Sequence, residues 1–151
     1  MNQIPTALTV DNLILEIRGH KVILDSDLAA LYEVKTMRLN EQVKRNIERF
    51  PEDFMFQLTN KEVTTLKSQI AISRWGGRRT LPYVFTEHGA IMAASVLNSP
   101  KAVEMSVYVV RAFIKLRTLA LQYKELTEKL RWCRHEIANH KNKQRILTAA
   151  R

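Results

Sequence analysis

Between Thr36 and Phe50 the chain reads TMRLNEQVKRNIERF, and its polar side chains are of the kinds that hydrogen-bond base edges. Arginine can take guanine O6 and N7 with two parallel N–H groups, and asparagine or glutamine can match adenine N6 and N7. Leu39, Val43, Ile47 and Phe50 recur at spacings of four, four and three, so on a helix they form one apolar stripe. Arg38, Glu41, Gln42, Arg45 and Arg49 point away from that stripe, with Lys44 and Asn46 on its flanks. Arg38, Gln42 and Arg45 are therefore the candidate base readers, and Lys44, Asn46 and Arg49 the candidate phosphate contacts. Thr36, Asn40 and Glu41 complete the candidate set on this helix. The same pattern also fits an ordinary solvated amphipathic helix, because charged residues favour any exposed face.

Such a helix needs a scaffold, and the preceding residues supply the first part of one. Asp25 is a candidate N-cap for a short helix, on which Leu28, Leu31 and Tyr32 share one apolar face. A break follows at Glu33-Val34-Lys35, and Thr36 is placed to cap the second helix, expected over 36–49. Two short helices across a tight turn, the second turning Arg, Gln and Asn outward, is the layout of a helix-turn-helix. Upstream, 13–18 and 21–24 are β-prone runs around Gly19-His20, which predicts a hairpin turn there. Pro51 stops the second helix.

Phe54, Phe56 and Leu58 alternate as in a half-buried strand, and Thr59-Asn-Lys-Glu62 is a capping box opening a helix with Val63, Leu66 and Ile70 on one face. Leu81 to Phe85 predicts another strand, and Thr86 a cap for a helix through Asn98 with Ile91, Ala94 and Leu97 or Val96 inward. Between them, Gly76-Gly77 allows close backbone approach to a surface, and Arg78 and Arg79, with Arg74 nearby, could meet phosphates as a wing. A surface hairpin with Trp75 folded onto the core is the alternative for that loop.

From Pro100 to Arg151 there is no glycine and no further proline, so one long helix or two nearly continuous ones are expected. Leu116, Leu119, Tyr123, Leu126, Leu130, Cys133 and Ile137 alternate at spacings of three and four, a heptad seam that His140 and Gln144 weaken. An isolated helix in water cannot satisfy that seam, so a partner must cover it. A second copy, giving a two-fold homodimer, is the favoured partner; packing onto the globular part is the alternative. In a parallel pair Lys129 would meet Arg134 unfavourably while Glu136 and Lys141 would attract, which leaves the orientation open. The basic tail from Arg131 onward can add a salt-sensitive attraction to DNA.

The formal net charge is +9, which suits a polyanionic partner, but its distribution weakens that argument. Residues 1–50 carry seven basic and seven acidic side chains, 51–100 five and four, and 101–151 twelve and four. The surplus therefore sits on the C-terminal segment. A single cysteine, Cys133, rules out an intrachain disulfide and fits a reducing, cytoplasmic setting. Neither a signal peptide nor a run of about 18 apolar residues is present, so no membrane partner is expected. His135 and His140 are five apart and share no ligand face, Cys133 has no cysteine companion, and His88 beside Glu87 reads as a capping or packing residue. No metal, cofactor or catalytic constellation is expected.

Three blocks, IRGHKVILDSDLAALYEV, LNEQVKRNIERFPEDFMFQLT and GGRRTLPYVFTEHG, resemble the ORF-six N-terminal domain, a KilA-N-like module of phage and prophage proteins. The resemblance runs from Ile17 to Leu116, in order and without a departure in those blocks. It implies a sequence-specific domain for double-stranded DNA, of a kind found in phage antirepressor and regulatory proteins. The expected fold class is α+β: a small winged helix-turn-helix-like domain with short β-hairpins, followed by a long, coiled-coil-like C-terminal helix. Residues 1–14 read as an N-terminal extension, 15–99 as the KilA-N-like domain and 100–151 as an oligomerisation segment. The alternative function is an antirepressor that engages another regulatory protein through its helical tail.

Overall fold

Val22, Ile23 and Leu24 are consecutive and all three are buried, so the strand carrying them must be covered on both sides. The computed structural model describes residues 10–69 and 80–150 and shows how. Strands β1 (Ile14–Ile17), β2 (His20–Leu24), β3 (Met55–Gln57) and β4 (Tyr83–Phe85) form one antiparallel sheet in the order β1-β2-β4-β3. Alternate residues feed two cores. Ile23, Phe85 and Met55 pack with the helices α1 (Asp25–Leu31), α2 (Thr36–Arg45) and α4 (Glu87–Leu97) and the start of α5 (Pro100–Ala149). Val22, Leu24 and Val84 pack with Leu58 and with Leu66 of α3 (Asn60–Gln69). The fold is α+β, with short hairpins and a long C-terminal helix.

Local chemistry explains the connections and corrects several expectations. The hairpin turn is Arg18-Gly19 rather than Gly19-His20, because both residues take positive φ (54° and 75°) and His20 pairs with Ile17. Arg18 is held there by ion-pairing Glu62 at 2.7 Å and by lying 4.5 Å over the Phe56 ring. The capping box forms as expected: Thr59 N–H donates to Glu62 Oε1 at 2.9 Å, and Glu62 N–H donates to Thr59 Oγ1 at 3.2 Å. Thr86 caps α4 by accepting from the Gly89 N–H. Gly89 has to be glycine, since a Cβ there would collide with the Phe54 carbonyl.

Three apolar assignments shift. Met55 is buried on one face of β3 while Phe56 packs on the other, so the strand is covered on both sides instead of alternating with solvent. Ile91 is exposed, and Ala90, Ala93 and Ala94 form the inward face of α4, where small side chains let the helix sit close to the sheet. Ile47 is 53% exposed because the α-helix has already ended before it. Leu66 is buried and Val63 half-buried, while Ile70 and Trp75 lie outside the described residues.

Contacts divide the chain into two units, 1–113 and 114–151. In the first, Ala102, Met105, Val109, Ala112 and Phe113 of α5 are buried in the main core, so the opening turns of this helix belong to the globular unit. In the second, α5 continues as helix to Ala149, with Leu116 half-buried and Leu119, Tyr123, Leu126, Leu130, Cys133 and Ile137 exposed. Among the described residues no helix is long and apolar enough to cross a membrane.

Candidate nucleic-acid interface

Two fully buried side chains set the rotation of α2. Leu39 is 0% and Val43 is 2% exposed, and they join the core formed with Leu28, Tyr32 and Ala93. At about 100° per residue, the direction opposite that pair is occupied by Met37, Arg38, Glu41, Lys44 and Arg45. All five are exposed. The turn into α2 is made by Glu33, whose φ of 55° reverses the chain, with Val34 N–H donating to Ala29 O at 2.9 Å. Tyr32 anchors the end of α1 by donating its hydroxyl to Ala90 O at 2.8 Å, and burial pushes the phenol pKa up.

Asp25 and Thr36 do not cap. Leu24 and Lys35 occupy the N-cap positions of α1 and α2, neither with a side-chain cap bond. Asp25 is instead fully buried and ties three segments together. Its carboxylate accepts from Ser26 N–H at 2.7 Å, from Asn40 Nδ2 at 3.0 Å and from the Tyr83 N–H of β4 at 3.3 Å. A buried carboxylate needs such donors, and here they fix α2 against α1 and the sheet.

This network redistributes the candidate residues. Asn40 is half-buried and committed to Asp25, so its Nδ2 is a positioning group and does not face a ligand. Helix α2 ends at Arg45, and 47–49 form a 3-10 turn, because Asn46 leaves the helical region (φ −121°, ψ 35°) and donates Nδ2 to Gln42 O at 2.9 Å. Asn46 therefore closes the helix. Gln42 is half-buried on its flank, and Thr36 is half-buried at its first turn. Arg45 is exposed and pairs with Glu41 at 2.8 Å, a solvent-side i,i+4 bridge worth only about 0.3–0.5 kcal/mol and readily exchanged for another anion. Arg38, Lys44 and Arg49 are exposed and have no ion pair among the described residues. Arg74, Arg78 and Arg79 lie outside the described residues.

Sequence periodicity passed over two residues on this face. Met37 is 81% exposed, an apolar side chain standing amid arginines and lysine, and Lys35 is exposed at the entry of the helix. The signal for Met37 was its phase, nearly opposite to Leu39 and Val43. An exposed thioether chain offers a surface for a thymine methyl, while the guanidinium groups beside it offer paired donors for guanine. His88 stacks on Phe54 at 5.4 Å between ring centroids, a packing role. Among the described residues no cluster of three or more His, Cys, Asp or Glu could hold a metal ion.

A family model for the ORF6N domain matches residues 12–96, more than half of the chain. The chain belongs to the ORF6N domain family. The matched ORF6N region runs from just before β1 into α4 and so contains the whole sheet, the helix pair and the exposed face of α2. The family is one of phage-type regulatory proteins. No curated protein and no solved structure matches the chain in the corresponding comparisons.

Proposed function

We propose that this ORF6N protein binds double-stranded DNA sequence-specifically, with α2 in the major groove, and regulates phage or prophage transcription as a homodimer. The observation that carries this reading is the outward face of α2. Its apolar side is consumed by the core, and its other side presents Arg38, Lys44 and Arg45 around Met37, with Arg49 just beyond. In this reading Arg38 and Arg45 take base edges, Met37 meets a thymine methyl, and Lys35, Lys44 and Arg49 contact phosphates. Arg78 and Arg79 would add a wing. The role is binding, without catalysis.

Selection from a random pool of duplex DNA tests it, with the wild type compared against Arg38→Ala/Arg45→Ala at two salt concentrations. Enrichment of a two-fold site by the wild type and its loss in the double variant is the expected result. Weak, purely salt-dependent binding by both proteins would refute it.

The exposed seam of α5 favours a second reading, an antirepressor that engages another regulator through this helix. Salt separates the two. A DNA complex that neutralises several phosphates loses affinity steeply as salt rises, whereas an apolar helix contact does not.

A further inference from the structure

The seam that begins at Leu116 continues the spacing of Ala102, Met105, Val109 and Ala112, which the core of the globular unit covers. In the second unit the same phase is left uncovered: Leu126 is 57%, Leu130 53% and Ile137 56% exposed. Leu147, one further d position of the heptad, is 68% exposed. We propose that a second copy of this chain covers it in antiparallel orientation, with Leu130 of each protomer opposite the partner's Cys133. This rests on the reading of the seam as a self-association surface and adds its direction and register.

Charge decides the direction. In an antiparallel pair the g positions face each other across the interface, and so do the e positions; in a parallel pair g faces e. With Leu130 opposite the partner's Cys133, the g residues bring Lys129 against the partner's Glu136, and two-fold symmetry makes that contact twice. The facing e residues are Thr127 with Arg134 and Ala120 with Lys141, so no like charges meet. Sliding by one heptad one way sets Lys129 on the partner's Lys129. Sliding the other way sets Glu136 on Glu136 and Arg134 on Arg134. The parallel pair places Lys129 against Arg134, also twice, and that repulsion offsets its Glu136–Lys141 attraction.

The apolar layers agree with the same register. Leu116 falls opposite the partner's Leu147, and Leu126 opposite Ile137, so the whole seam is covered from end to end. His140 comes opposite the partner's Tyr123, whose hydroxyl can hydrogen-bond an imidazole. Within each helix Gln144 Nε2 already lies 3.2 Å from His140 Nε2, so the two polar residues that interrupt the seam satisfy each other. A parallel pair would stack His140 on His140 and Gln144 on Gln144.

Two measurements on the full chain test the proposal and separate it from the dimer reading beneath it. In a Cys133→Ser background, Leu126→Cys and Ile137→Cys are made singly. Eleven residues separate these positions, about 16 Å along the axis, so in the antiparallel register neither variant cross-links alone and the mixture does. Cross-linking of each variant by itself means a parallel pair and overturns the inference while the dimer stands. A monomer by sedimentation equilibrium overturns both. The second measurement has opposite signs in the two arrangements. Lys129→Glu weakens an antiparallel dimer about five- to tenfold, by setting Glu against Glu twice, and Lys129→Glu/Glu136→Lys restores it. A tighter dimer from Lys129→Glu alone, as the parallel arrangement requires, overturns the proposal.

Discussion

In α2, Leu39 and Val43 are 0% and 2% exposed while Arg38, Lys44 and Arg45 stand in solvent. Beyond Phe113 in α5, the equivalent apolar residues are the exposed ones, with Leu126 and Leu130 at 57% and 53%. Both stretches carry apolar side chains at spacings of three and four, so periodicity alone does not tell them apart. Burial does. The globular unit finishes the apolar side of α2 and leaves a polar surface whose chemistry suits a duplex. The far part of α5 is left with an apolar surface, which suits another helix. One surface is the polar side of a helix whose apolar side is buried; the other is apolar and stays exposed in the single chain.

Breaking the first half of that comparison should have the largest effect. Leu39→Ala removes a fully buried side chain from the core under α2 and should cost about 2–5 kcal/mol in urea unfolding, with DNA binding lost along with stability. The corresponding change in the seam, Leu126→Ala, should leave the unfolding of the 10–113 unit unchanged and weaken self-association seen by sedimentation. Equal losses of stability from the two would mean that the stretches do not differ in burial.

Asp25→Ala comes next. It strands Asn40 Nδ2 and the Tyr83 N–H without their acceptor, at about 2–3 kcal/mol, and loosens α2 against the sheet. Hydrogen exchange should show faster opening of α2 while the β1–β2 hairpin stays protected. Arg38→Ala should act in the opposite way, with no change in unfolding and about 1–3 kcal/mol lost in binding a selected site, as gel-shift titration would read.

The smallest effect concerns pH. Arg18 holds the Glu62 carboxyl below the usual glutamate range, through its hydrogen bond and ion pair at the hairpin. A depressed folded-state pKa adds stability that is full above the unfolded value, about 4.3, and is lost as pH falls through the folded one. Glu62→Gln should therefore flatten the dependence of the urea midpoint on pH in the window below about pH 4.5. A slope unchanged by the substitution would show that this pair does not stabilise the hairpin.

Much of this could be read from residue order because the determinants are local. The Thr59–Glu62 box, the Thr86 cap, the helix pair with Leu28, Leu31 and Tyr32 inward, and Pro100 at the head of α5 each depend on residues a few positions apart. The candidate face was legible to the same extent: Arg38, Lys44 and Arg45 stand exposed, as their phase or flank position required, while Arg49 is exposed in the 3-10 turn beyond the helix end.

Local order could not reveal the contacts between distant segments. Asp25 looked like a cap because carboxylates favour helix starts, but β4 arrives 58 residues later and supplies the Tyr83 N–H that draws it inward, together with Asn40. That one arrangement turned Asn40 from a candidate DNA contact into a support. Likewise Met55 and Ile91 have no local feature that decides their side; a sheet covered on both faces buries the first, and the close seat of α4 through Ala90 and Ala93 exposes the second. The sequence by itself determined most of the elements, the Thr59 and Thr86 caps, the two amphipathic phases and the ORF6N family motif, all of which come from spacing along the chain. Only the tertiary structure decided which polar side chains were spent inside and which were left for a ligand, because desolvation depends on the segments packed over a residue and not on its neighbours along the chain.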